Sequence, residues 1–418
     1  QAVKANGEDM LEELLRFSRR SDHQRYTRSF IQEVLLTSGK PALQYQAWQG
    51  YTLADGEGRQ RILRLLHRNG FKVPTDEFVK VKQLVTEEVN LVCWFAAAIN
   101  DLQQASGDYE NILAALEEEL HSKRINVFLM LSLIYDSSTV DFLIQKTDTD
   151  ASDMKAYAIE ILDMTVSEDM KEVLLPLLAE TSHEGLLKAY RHIFYHPHVT
   201  AAERLWDIIN KDCLLVNEWT KATAMAALRQ LDAQDQLLIA NLQHPSLFIK
   251  EMAWTEMLRV YPDQLHRVLL RYPEVQQTEA QKQIAAMQTD GWISMYDKIR
   301  AIKVHRTFGK LPYTALIRLV EQSEELRLSA GAEKQLLPGE ASLTGLLLSG
   351  RLQLQEKGGV VKTVDAGAYL YYKTFNGSSV VLKAMEDLVL IQIPDYEVAE
   401  MLYWYPANLS SLTDSVAT

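Results

Sequence analysis

The densest group of side chains able to hold a metal or move a proton is the segment HIFYHPH, which brings His192, His196 and His198 into one short stretch. Imidazoles at i and i+4 share a face of a helix, the spacing at which His192 and His196 would ligate zinc. A tetrahedral site needs further donors, but no carboxylate or thiol completes the set nearby, and Pro197 breaks the helix. The histidines therefore read as a helix-end cluster, where imidazole is favoured by the C-terminal dipole. His183-Glu184 does not extend to His-Glu-x-x-His, so the metalloprotease pattern is missing. The chain also has no Gly-x-Gly-x-x-Gly, no Gly-Lys-Ser/Thr phosphate loop and no Gly-x-Ser-x-Gly elbow. Acidic runs such as Glu117-Glu118-Glu119 read as solvated helix faces. The expectation is a chain that is not an enzyme, with no catalytic residues, no metal and no cofactor.

Cys93 and Cys213 both fall in apolar helical patterns and read as two buried free thiols, which points to a reducing compartment. A net charge of −13 argues against nucleic acid as a partner. The acidity is uneven: residues from Met295 onward carry 13 Lys+Arg against 14 Asp+Glu, so nearly all the excess lies before them. No apolar stretch reaches the roughly 18–20 residues a membrane span requires. The chain starts at Gln1 within a helical pattern, and the expectation is the soluble, cytoplasmic piece of a longer protein.

These residues must be positioned by helices almost throughout. Short amphipathic patterns at 10–17, 26–36, 42–51 and 58–67 precede two long ones, through about Gln104 and from Tyr109 to about Tyr135. Asn69-Gly70 predicts a left-handed C-cap. Paired short helices follow at 138–146, 151–165, 167–179, 183–195, 200–210, 214–230, 234–243, 246–261, 262–272 and 275–289, with Ser167 a candidate N-cap. Trp94 reads as a packing residue. From Gly339 to Ile393 the period changes to two: Leu352 and Leu354 alternate with Arg351, Gln353 and Gln355. Glycines at 350, 358, 359, 367 and 377 mark tight turns, and the region reads as a small β-barrel or jelly roll. The fold expected is mainly α, a helical array over 1–291 followed by 292–418 with a short helix, the barrel and C-terminal helices.

Three segments carry a family resemblance: RINVFLMLSLIYDSSTVDFLIQK, AYAIEILDMTVSEDMKEVLLPLLAE and HPSLFIKEMAWTEML. They resemble HEAT repeats, an α-solenoid, of the kind fused to bacterial major-facilitator, ATP/ADP-translocase-like membrane proteins. Phe308, Leu311-Pro312, Leu316, Leu319, Gly339 and Leu348-Ser349-Gly350-Arg351, with DYEVAEMLYWYPANLSSL, resemble a cyclic-nucleotide-binding domain. That resemblance implies a ligand pocket at Gly367, Tyr369, Leu370, Tyr371, Tyr372, Ser378 and Ser379. Where the family has Phe-Gly-Glu this chain has Leu370-Tyr371-Tyr372, and Ser378 falls at the phosphate-binding Arg, so both charged anchors are missing. A cyclic phosphate buried without a cation is costly, so a cyclic nucleotide is not expected as ligand unless Lys373 or Lys383 turns inward to replace the Arg. The tyrosines would fill the vacated pocket or form an interface patch, with filling favoured.

Function is then expected to be regulatory or scaffolding, at the cytoplasmic face of the inner membrane. The partner would be another protein or the protein's own membrane domain. The alternative is a sensor that binds a small molecule in the barrel and relays it to the helices.

Overall fold

The computed structural model describes residues 41–54, 56–146, 152–180, 182–231, 235–289, 291–305, 308–336, 343–356, 359–372 and 380–405. The helices expected at 10–17 and 26–36 lie outside them. The chain divides into two compact units, Gln1–Gln230 and Leu231–Thr418.

The first unit is helical: α1 (Pro41–Gly50), α2 (Gly56–Arg68), α3 (Phe78–Gln104), α4 (Glu110–Leu131), α5 (Ser137–Lys146), α6 (Ser152–Thr165), α7 (Glu168–Ala179), α8 (His183–Tyr190), α9 (Ala201–Asn210) and α10 (Glu218–Ala227). Gly70 ends α2 with φ +63°. Its N–H donates to the His67 carbonyl and that of Phe71 to the Leu66 carbonyl, the paired bonds of a Schellman cap. The centre of the unit is α3, which packs against α4, α7, α8 and α9. Every residue from Leu91 to Ile99 is buried, and a helix apolar on all sides must be surrounded by others. Each large side chain so buried contributes about 1.5–3 kcal/mol.

Three local readings are corrected. Helix α8 stops at Tyr190 rather than 195, and residues 194–200 have no regular structure, with Pro197 keeping His196 out of the helical conformation. Cys213 is exposed in the turn before α10, whereas Cys93 is buried. Glu119, read as part of a solvated run, is buried. Ser167 is the N-cap of α7 as expected, though without a side-chain cap bond, its hydroxyl lying 3.3 Å from the Tyr135 hydroxyl.

The second unit begins with α11 (Asp235–Asn241), α12 (Leu247–Val260), α13 (Pro262–Leu269), α14 (Glu274–Met287), α15 (Met295–Lys303) and α16 (Tyr313–Gln322). Successive helices pack in pairs across the chain: α6 on α7, α9 on α10, α11 on α12 and α15 on α16. Eight strands follow among the described residues: β1 (Glu324–Leu328), β2 (Glu333–Leu336), β3 (Leu343–Ser349), β4 (Arg351–Glu356), β5 (Gly359–Asp365), β6 (Tyr369–Tyr372), β7 (Val380–Ala384) and β8 (Leu388–Gln392). They form two antiparallel sheets of order β1-β8-β3-β6 and β2-β7-β4-β5, the strand order of a double-sheet jelly roll. Leu352 and Leu354 are buried and Arg351 is exposed, the alternation expected of β4. Gly350 turns β3 into β4 with φ +79°, and a Cβ there would meet the Asp387 carbonyl oxygen at 2.4 Å, so glycine is required. Helix α17 (Asp395–Trp404) returns to α16, where buried Arg318 reaches Glu397 at 3.1 Å and Glu400 at 2.5 Å.

Candidate functional site

The jelly roll places the residues of the expected nucleotide pocket as follows. Gly367 (φ +85°) closes the turn from β5 to β6, and its N–H donates to the Leu347 carbonyl at 2.7 Å. Tyr369 and Leu370 open β6 and alternate across it. Leu370 is buried in the core, while Tyr369 packs on Phe308, ring centroids 5.4 Å apart. Tyr371 and Tyr372 continue β6, their backbones opposite Thr344 and Leu343. Ser378, Ser379 and Lys373 lie outside the described residues.

Between the sheets the core cluster contains Leu347, Leu352, Leu354, Val364, Leu370, Leu382, Ala384, Leu388 and Leu390, drawn from both sheets. Lys383 stands between buried Leu382 and Ala384 on β7, so it points away from that core. It pairs with its cross-strand neighbour Glu333 at 3.1 Å. From that position it offers no charge to the interior of the barrel.

In the helical unit the three histidines diverge. Without a helix beneath them, the i, i+4 spacing brings no two rings onto one ligand. His192 Nε2 meets Glu172 at 2.6 Å, His196 Nε2 meets Asn90 at 3.0 Å, and His198 Nδ1 meets Asp101 at 2.5 Å. The carboxylates come from far along the chain, which sequence proximity hides. Among the described residues no group of three or more His, Cys, Asp and Glu side chains could hold a metal ion.

Asp101 is a buried anion on α3 that also receives Arg204 of α9 through Nε at 2.9 Å and Nη2 at 2.6 Å. Arg204 Nη1 meets Asp207 at 3.1 Å, and the Trp94 indole N–H donates to the same Asp207 oxygen at 2.7 Å. Trp94 is thus buried packing, as its pattern implies, but with a polar partner that local sequence does not reveal.

Beside this network a cavity of ≈ 440 Å³ opens within the helical unit. Tyr51 and Thr52 line it from the 3-10 turn after α1, Arg59 from α2, Glu87, Glu88, Asn90 and Trp94 from α3, and His196 and Lys211 from the segments flanking α9. Leu84, Leu91, Met130 and Leu215 add apolar surface. A Cβ on Gly56 would lie 3.8 Å from the Leu214 carbonyl oxygen, so the start of α2 runs close beside the loop that carries Leu215.

The charges of the cleft are unevenly matched. The Lys211 ammonium sits 4.4 Å from the Trp94 ring centroid and 3.6 Å from Asp207. Glu88 takes Asn126 at 3.1 Å and Lys123 at 3.7 Å. Arg59 donates through Nη2 to the Thr52 carbonyl at 2.9 Å, with its guanidinium 5.6 Å from the Tyr51 ring. Its buried Nε has no hydrogen-bond partner among the described residues. Burial, aided by Arg204 and Lys211, lowers the pKa of His196. Burial, then Glu88, raises that of Tyr51. Donors, aromatic rings and apolar side chains in one cleft are the features of a binding site.

No family model matches the sequence. No curated protein matches it either. Among solved structures, part of the chain is similar to the sensor domain of the transcriptional regulator DNR from Pseudomonas aeruginosa, with 15% identity over 29% of this chain and 88% of that one, TM-score 0.25. It is also similar to a putative cyclic nucleotide-binding protein from Geobacter metallireducens, with 23% identity over 28% and 91% and TM-score 0.23. A CooA mutant from Carboxydothermus hydrogenoformans shares 18% over 28% and 80%, TM-score 0.23. At these scores the likeness says nothing of ligand or activity, and the jelly roll is assigned from its own strand order. Among the described residues no helix is long and apolar enough to cross a membrane.

Proposed function

We propose that the chain is a non-catalytic regulatory or scaffold module. Its helical part is a HEAT-like array that binds a protein partner or the membrane domain of a longer, transporter-like protein at the cytoplasmic face. Its jelly roll keeps a cyclic-nucleotide-binding-like shape without the nucleotide. The observation that carries this reading is the core of the barrel, filled by leucines from both sheets, with Lys383 turned outward onto Glu333. The residues at the family's ribose and phosphate positions, Tyr372 and Ser378, have no charge to offer. A phosphodiester entering such a site would lose its hydration without a cation in return.

Titration calorimetry of the full chain with cyclic AMP and cyclic GMP tests this reading. No binding heat is expected; micromolar affinity for either nucleotide in the barrel would overturn it. A sensor reading is favoured by one observation, the open cleft at Arg59 and Trp94, which would put the ligand among the helices instead of the strands.

A further inference from the structure

We propose that the cleft in the helical unit binds a small organic anion, its oxyanion held by Arg59 and its apolar body against Leu84, Leu91, Met130 and Leu215. The inference stands apart from the reading of the barrel, since every residue it uses lies in 41–230.

The first support is the state of Arg59. A guanidinium presents five N–H donors in a fixed fork. One hydrogen bond, to the Thr52 carbonyl, engages this one among the described residues, and its Nε is shielded from solvent with no acceptor. The Nη1 group and the second N–H of Nη2 are left to meet an oxyanion in the cleft, and carboxylate and phosphate are the groups that match the arginine fork.

Charge and position agree. Arg59 lies near the start of α2, where Glu57 is already paired with Arg61 at 2.5 Å. Glu88 is already met by Lys123 and Asn126. Glu87 is exposed and takes Gln83 at 2.9 Å, leaving it in high dielectric, where its repulsion is weak. The apolar share of the lining and a volume of ≈ 440 Å³ suit a compact organic acid better than a bare ion, the usual range for small-molecule sites being roughly 300–1,000 Å³.

The experiment is calorimetry on the full chain with three probes: 3-phenylpropionate, its cationic counterpart 3-phenylpropylamine, and inorganic phosphate. The acid is expected to bind with Kd below about 1 mM and the amine to give no heat. Arg59→Gln should weaken the acid by at least about tenfold through loss of the charge-assisted bonds, and Leu215→Trp should do the same by filling the cleft. Leu215 is partly exposed, so the second variant tests the site even if the first does not fold. Equal binding of acid and amine overturns the proposal, as does no heat from the acid. Heat from phosphate alone overturns the apolar half, and unchanged affinity in folded Arg59→Gln or Leu215→Trp overturns the site. A cyclic-nucleotide signal that survives Arg59→Gln would belong to the barrel and bear on the reading of the barrel alone.

Discussion

Arg204 of α9 is joined to Asp101 of α3 by two N–H donors on one carboxylate oxygen, at 2.9 and 2.6 Å, with both side chains buried. Asp101→Ala would leave the guanidinium in the interior with Asp207 as its remaining anion. Removing one partner of a buried pair costs about 3–5 kcal/mol. Urea unfolding followed by tryptophan fluorescence should show a loss of that size. A change below about 1 kcal/mol would mean that the pair behaves as a surface bridge.

The pair across α16 and α17 predicts a second, separable effect. Glu397→Ala leaves Arg318 with Glu400, so the expected loss is smaller, about 2–3 kcal/mol. Replacing both members, Arg318→Met with Glu397→Leu, should recover most of it, because apolar side chains of similar volume avoid the desolvation of two charges. A double-mutant cycle in denaturant measures the coupling. Strict additivity of the single changes would contradict the contact.

Glu119 gives a pH dependence. Burial pushes its carboxyl up to about 7, against the opposing effects of Lys123, Thr220 and the Asn217 N–H. In the unfolded chain it titrates near 4.5. The folded state therefore binds the proton more tightly, and the contribution to stability is fully present below pH 4.5 and lost as pH rises through 7. Up to about 3 kcal/mol should disappear across that window. Unfolding of wild type and Glu119→Gln at pH 5, 6, 7 and 8 reads it out: the difference should shift against wild type as pH rises and level off above 7. A constant difference would rule out titration of Glu119 in this range.

Two glycines with nearly equal φ separate conformation from space. Gly331 has φ +81° and open space within 4 Å of the point where a Cβ would stand, whereas Gly350 has φ +79° and the Asp387 carbonyl at 2.4 Å from that point. Gly331→Ala should cost about 1 kcal/mol for the backbone alone. Gly350→Ala must also move β8 and should cost at least about 3 kcal/mol. Thermal unfolding that ranks them the other way would contradict the turn geometry.

How much of the fold is legible in the sequence follows from the range of the interactions involved. The two long helices, the Gly70 cap and the alternation in β4 are written within a few residues, because period and turn chemistry are local. The strand order is only implied, since nothing near Glu324 announces its partner Gln392. The cleft escapes sequence reasoning for the same reason. Arg59, Trp94 and Lys211 are unremarkable in their own segments, and Trp94 meets Asp207 across 113 positions. The histidine pattern misleads in the opposite direction: its spacing has meaning only on a helix, and α8 ends at Tyr190, before the first of the three.

The pairing of β1 with β8 also bears on how the chain is made. Residues 324–328 find their hydrogen-bond partners in 388–392, and β2 waits likewise for β7. At roughly 5–20 residues per second of synthesis, the first two strands leave the ribosome some seconds before their partners exist. Through that interval Leu326 and Leu328 have no sheet to join, while α3 and α4 can already close on each other. The two sheets of the jelly roll therefore cannot close until the chain has been made through Gln392.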